Sequence, residues 1–304
     1  MAALDDNHTP NKEDPRVTEN EPNWWQKSLA LEPTIESVEV DGARVEYQLW
    51  GDRSKPGLML IHGAAAHANW WDFIAPFFAD NYCVVAPHLS GMGNSDYRDA
   101  YTTAVFAKDM MAVYQQLGFD ERTLVVGHSL GGSVAMTLAA NYGDSIRAAV
   151  MVDSAVFPPG ADLPFDPTKA PYRAKTICPD YETAAERFFL LPPQPVSNPE
   201  LLEHVVRHSI AEMDGGWSWK FDDKLFLNMT LHDTHAELQK LNCDMAYLHA
   251  EHSIVVSDQV LDYLRQEFDS SVPMIKIPDA HHHLLIDQPI ALVATLRTLF
   301  QGWQ

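Results

Sequence analysis

Ser129 lies in Leu124-Val-Val-Gly-His-Ser-Leu-Gly-Gly132, an apolar run of strand length followed by Gly-x-Ser-x-Gly and then by residues of helical period through Asn141. A serine nucleophile needs this layout, because a sharp strand-to-helix turn lifts its Oγ clear of the sheet edge. Gly127 and Gly131 leave room for crowded backbone, and Gly132 lets the helix pack closely. The helix start adds N–H donors and the positive end of a dipole. A second segment, Met59-Leu-Ile-His-Gly-Ala-Ala-Ala-His67, is another strand-like run that ends in small residues. Acyl transfer needs two backbone N–H groups converging on an oxyanion, one from such a loop and one from the residue after the nucleophile. The candidates are Ala64 and Leu130. A general base can come from Pro278-Asp-Ala-His-His-His-Leu-Leu-Ile-Asp-Gln-Pro289, in which His281, His282 and His283 compete. Consecutive side chains diverge, so the three do not read as a chelate. His204/His208 and His232/His235 read as ordinary histidines of a helical segment, and no metal or cofactor is expected.

Placing these groups together requires strands whose carboxyl ends share one edge. Strand-like runs at Gly57–Ile61, Cys83–Ala86, Thr123–Val126, Ala148–Val152, Met245–His249 and Pro273–Ile277 alternate with helical stretches. The helical stretches lie near Trp70–Phe78, Ala104–Leu117, Leu130–Asn141, Asp258–Glu267 and Pro289–Phe300. Ser37–Glu46 alternates around Asp41-Gly42 and reads as a hairpin that continues to about Trp50. Short buried runs separated by helices imply βαβ units and a mostly parallel central sheet flanked by helices. All the candidate groups then fall on loops at the sheet's carboxyl edge.

One stretch breaks the rhythm. Ten of the 20 prolines fall between Pro158 and Pro199, and no strand pattern returns until near Leu241. That is too long for a loop in a compact domain, so residues 157–239 read as an inserted, mainly helical cap. Residues 1–22 are polar and acidic and read as a disordered tail. The core is then 23–156 together with 240–304. Trp70, Trp71, Trp217, Trp219, Phe188, Phe189 and Tyr181 are the expected apolar pocket walls.

The 304 residues carry 21 Lys and Arg against 42 Asp and Glu, a formal charge of −21. Such a surface repels phosphate backbones and anionic lipid, so nucleic-acid and membrane partners are not expected. Apolar residues at 46% are enough to fill a core. Cys83, Cys178 and Cys243 are odd in number and far apart, which argues against a disulfide framework and mildly for a reducing compartment. The N-terminus has neither a basic nor an apolar leader region, so a cytoplasmic location is expected. Oligomeric state is left open.

Four blocks carry a resemblance to a known family: His62-Gly63 after a strand, Ala86-Pro-His-Leu-Ser-Gly-Met-Gly-Asn-Ser95, Gly127-His-Ser-Leu-Gly131 and the C-terminal histidine block. Over residues 36–301 the chain resembles the α/β-hydrolase fold superfamily, in the form of a serine hydrolase with an inserted cap, esterase- or lipase-like. The resemblance implies that the base is His282, five residues before Asp287 of Asp287-Gln-Pro289. It matches Ala64 and Leu130 to the oxyanion positions. His88 departs from the aspartate common in relatives. For the acid, the usual position after the later strand is held by Ser253. A second known position, at the end of the strand after the nucleophile helix, is Asp153, with Glu251 and Asp258 as alternatives. A serine nucleophile excludes the carboxylate-based mechanisms of the dehalogenase and epoxide-hydrolase branches. The implied reaction is acyl transfer to water on a small or medium carboxylic ester, a carboxylesterase-like hydrolysis. The alternatives are carbon–carbon, lactone, amide or thioester hydrolysis by the same triad, or a ligand receptor that retains a slow triad.

Overall fold

A computed structural model of the chain describes residues 22–160, 175–230 and 234–303. The expected acidic tail, except its last residue, lies outside the described residues, as do residues 161–174 of the expected cap and His232. The hairpin forms where the alternation places it, as β1 (Thr34–Val40) and β2 (Ala43–Trp50) paired antiparallel around Asp41-Gly42. The buried runs become β3 (Gly57–Ile61), β4 (Cys83–Pro87), β5 (Leu124–His128) and β6 (Ala148–Val152), with every residue of these four strands buried. Among the described residues, these strands join β9 (Asp244–Ala250) and β10 (Met274–Ile277) in one sheet. Its order is β1-β2-β4-β3-β5-β6-β9-β10, parallel from β4 to β10.

Strand alternation divides the core into two layers. Met59, Ile61, Val125, Ala149 and Met151 face the helices α2 (Thr103–Leu117), α3 (Leu130–Tyr142) and α7 (Asp258–Glu267). Leu58, Leu60, Val126, Val150 and Val152 face the other layer, which holds Trp71, Phe73 and Phe78 with α8 (Leu284–Asp287) and α9 (Pro289–Gly302). The short α1 (Trp24–Leu29) packs its tryptophans against this second layer. Thr102 and Ser257 cap α2 and α7 by accepting N–H bonds from Val105 and Val260, as helix starts require.

Two expectations need correction. The stretch Trp70–Phe78 is not one helix but two 3₁₀ turns, Ala68–Trp71 and Ala75–Phe78. An α-helix there would need Pro76 to donate to Asp72, and proline has no N–H and clashes with that carbonyl. The segment between β6 and β9 is not free of strands. It contains α4 (Tyr181–Glu186), α5 (Pro199–Ser209) and α6 (Thr234–Leu238), but α5 runs directly into an antiparallel ribbon, β7 (Ile210–Met213) and β8 (Gly216–Trp219). Its turn is Asp214-Gly215, a hairpin dipeptide that the proline count had obscured. Among the described residues, no helix is long and apolar enough to cross a membrane.

Candidate active site

Ser129 stands between β5 and α3 with φ 53 and ψ −118, a left-handed conformation that is costly for a residue with a side chain. The surroundings hold it there. Its N–H donates to Val152 O at 2.9 Å, and its own carbonyl accepts from Ser154 Oγ at 2.6 Å. The turn is so tight that a Cβ on Gly127 would lie 1.9 Å from Gly131 O, and one on Gly131 would lie 2.3 Å from Ile61 O. Glycine is therefore required on both sides of the serine.

His282 follows β10 and lies 3.0 Å, through Nε2, from Ser129 Oγ. Its Nδ1 lies 2.7 Å from Asp153 Oδ2. Asp153 ends β6, is fully buried, and itself has a positive φ of 47. A carboxylate only accepts, so the hydrogen sits on Nδ1 and leaves the Nε2 lone pair facing the serine hydroxyl. Three donors converge on the carboxylate: His282 Nδ1, Ala250 N at 2.8 Å and Ser253 Oγ at 2.6 Å. The structure thus brings together Ser129, His282 and Asp153. The alternatives lie elsewhere. Glu251 is exposed and bonds Lys276 Nζ at 3.4 Å and Asp279 N at 3.1 Å, which hold its carboxyl below the usual range. Asp258 is exposed on the first turn of α7.

The neighbouring histidines have other partners. His281 is tied to Asp287 Oδ2 by its Nδ1, 3.1 Å, and by its N–H, 2.8 Å. His283 directs Nε2 to Pro192 O at 3.2 Å, and its N–H donates to Gln194 Oε1 at 2.7 Å. Both bonds reach into the segment between β6 and β9. His128 donates Nε2–H to His282 O at 2.8 Å and packs ring to ring with His282, centroids 4.8 Å apart. Burial, then the adjacent His282, pushes its pKa down to about 3, so it is a neutral support beside the site. His128, His282 and His283 cluster closely enough to suggest a chelate, but the bonds above already occupy both nitrogens of His282 and Nε2 of the other two. His62 is likewise neutral, pushed down to about 4 by burial; its Nδ1–H donates to Gly63 O and its Nε2 accepts from Leu89 N. His88, the departure from the family pattern, is buried and accepts the Ala68 N–H at 3.2 Å.

Ala64 and Leu130 both line the cavity in front of Ser129. Leu130 is the first residue of α3, so its N–H has no helical carbonyl to meet. Ala64 N–H takes no backbone hydrogen bond among the described residues. The cavity encloses about 540 Å³ and is mostly apolar. Of the expected wall residues, Trp70, Phe188, Phe189 and Trp219 line it. Trp71 instead lies in the core, and Tyr181 and Trp217 pack edge-to-face on each other at 5.7 Å. Residue types alone missed Ser253, Ser154 and Gln194 as supports. Ser253 was visible only as a departure from the usual acid position, and the other two make long-range contacts with no local signature.

Comparison with known proteins agrees with this architecture. A family model described as alpha/beta hydrolase fold matches residues 56–201. The uncharacterized protein Rv2715 of Mycobacterium tuberculosis is 32% identical over 139 residues, 45% of this chain and 40% of that protein. Lipase LipV of the same organism is 30% identical over 181 residues, 57% of this chain and 65% of that protein. The matches therefore span less than two thirds of either relative. Among solved structures, E-2-(acetamidomethylene)succinate hydrolase superposes with a TM-score of 0.77 at 18% identity, covering 88% of this chain and 99% of that one. With its parallel sheet, the turn at Ser129 and these matches, the chain has the α/β-hydrolase fold.

Proposed function

We propose that the chain is a serine hydrolase that cleaves small or medium carboxylic esters through an acyl-enzyme. The carrying observation is the continuous line of hydrogen bonds from Ser129 Oγ to His282 Nε2, 3.0 Å, and from His282 Nδ1 to Asp153, 2.7 Å, at the mouth of an apolar cavity. In this reading Ser129 Oγ attacks the ester carbonyl as His282 Nε2 takes its proton. Asp153 stabilises the resulting imidazolium and holds the ring in register. The tetrahedral oxyanion is received by the N–H groups of Ala64 and Leu130, each worth about 3 kcal/mol to the transition state. His282 then protonates the leaving alcohol, and a water activated by the same histidine releases the acid. The segment between β6 and β9 acts as a cap, with Phe188, Phe189 and Trp219 over the acyl chain.

The reading is tested with purified full-length protein on p-nitrophenyl esters from acetyl to dodecanoyl, with matched acyl thioesters alongside. Turnover of esters above thioesters, abolished by S129A, is expected. Preferential thioester turnover overturns the ester assignment. No turnover of either series overturns the hydrolase reading.

A further inference from the structure

A second group of chemistry-bearing side chains lies away from the serine. Asp72 follows the first 3₁₀ turn after β3, while His204 and His208 stand one turn apart on α5. The i, i+4 spacing puts both imidazoles on one face of the helix, with ring centroids 4.4 Å apart. His204 Nε2 lies 2.8 Å from Asp72 Oδ2. His208 donates Nδ1–H to His204 O at 2.9 Å, so its Nε2 carries the free lone pair. One nitrogen or oxygen from each of the three residues lies within 4.8 Å of the others.

Asp72 supplies an independent sign of a ligand. It is 8% exposed, and its Oδ1 has no hydrogen-bond partner although it is buried. An orphaned carboxylate oxygen at that depth costs about 1–3 kcal/mol or more. Its other oxygen is held by Asn69 Nδ2 at 2.9 Å, which fixes the carboxylate's direction. The group opens on a cavity of about 600 Å³ that also presents Glu46 and Lys220, whose ammonium is bonded to Asn94 Oδ1 at 3.0 Å.

We propose that Asp72, His204 and His208 form a divalent transition-metal site, suited to Zn²⁺, which joins α5 to the loop after β3. Two imidazoles and one carboxylate are a common zinc donor set, and a water or small anion from the cavity takes the fourth position. The backbone carbonyl behind His208 Nδ1 and the amide behind Asp72 orient the donors, as supporting groups do in metal sites. On binding, the hydrogen that His204 Nε2 donates to Asp72 moves to Nδ1, so the neutral ring turns its Nε2 lone pair to Zn²⁺ and the ion takes the place of that hydrogen between the two residues. The site does not depend on the proposed esterase chemistry.

The test is calorimetric titration of the chelator-treated full chain with Zn²⁺. One ion per chain is expected, with affinity falling a hundredfold or more in D72N and in H208Q and unchanged in H252Q, which alters an exposed histidine cluster elsewhere. Absence of binding to the wild type, or affinity equal in wild type and both site variants, overturns the site. A second measurement needs no variant. Zn²⁺ is expected to protect His204 and His208, but not His252, from diethyl pyrocarbonate, as read by peptide mass spectrometry. Equal modification with and without the ion overturns the proposal.

Discussion

Ser253 donates its hydroxyl to Asp153 at 2.6 Å, across 100 residues of chain. The side chain after β9 therefore supports a carboxylate that stands after β6, in the adjacent strand of the sheet. The same serine hydroxyl accepts the N–H groups of Val255 and Val256 at 3.1 and 3.0 Å, so its single hydrogen is directed at the acid.

If Asp153 is the acid of the triad, D153N lowers kcat by about four orders of magnitude, because an amide neither holds the Nδ1–H tautomer nor stabilises imidazolium. E251Q changes kcat by less than about threefold, as Glu251 faces Lys276 at the surface. Removing one charge-assisted bond in S253A costs about tenfold in kcat. The double variant D153N/S253D recovers part of the D153N loss by returning a carboxylate from the other strand. Steady-state kinetics on one ester checks all four, and a large effect of E251Q moves the acid to β9.

G131A is expected to destabilise the fold by about 3 kcal/mol, because its Cβ would meet the Ile61 and His62 carbonyl oxygens at 2.3 and 2.6 Å, backbone atoms at the end of β3 and just after it. G42A, in an open turn at φ +77 with nothing within 4 Å, should cost only about 1–2 kcal/mol. Urea midpoints of the two variants give the comparison, and equal losses contradict the close-packing account of the serine turn.

Acid should destabilise the fold through its buried neutral histidines. His62 and His128 are pushed down to about 4 and 3, chiefly by burial. Below pH about 6.5 the unfolded chain takes up protons at these residues while the folded chain does not, so stability falls. Above that pH the contribution is fully present. Each histidine contributes at most about 1.4 kcal/mol per pH unit to the slope. The urea midpoint should therefore drop between pH 7.5 and 5.5, and H62N should lose stability less steeply over that range. A wild-type midpoint independent of pH there contradicts the assignment.

Trp219 and Phe189 pack ring to ring at 4.9 Å on the wall of the cavity, and Phe189 is itself 56% exposed. W219A is expected to raise KM for long-chain esters about tenfold while leaving short-chain esters within about twofold, since only longer chains reach the lost apolar area. A uniform change across chain lengths removes Trp219 from the acyl pocket.

Features with a local physical cause were legible in the sequence. The five-residue strands β3 and β6 follow apolar runs, and the helix α7 a stretch of helical period, whose limits the structure repeats. Ser129 was legible because its turn requires glycines at fixed neighbouring positions. The residues alone left His281, His282 and His283 open, since each has a partner visible only in three dimensions. The Asp153–Ser253 bond depends on how β6 and β9 align, which no local pattern encodes. Nine residues from Trp70 carry helical periodicity, but Pro76 overrides it. The β7–β8 ribbon was hidden because its strands are four residues each and the first continues an amphipathic helix. His204 and His208 gained meaning only when folding placed Asp72 beside them, 132 residues from the nearer partner.

The central claim is that Ser129 is a nucleophile activated by His282. It is tested most directly by treating the folded protein with a serine-reactive fluorophosphonate and locating the adduct by peptide mass spectrometry. The account predicts one adduct per chain, on Ser129, formed by the wild type and lost or slowed at least a thousandfold in H282Q. Labelling that is absent, that falls on another residue, or that is equally fast in H282Q contradicts it.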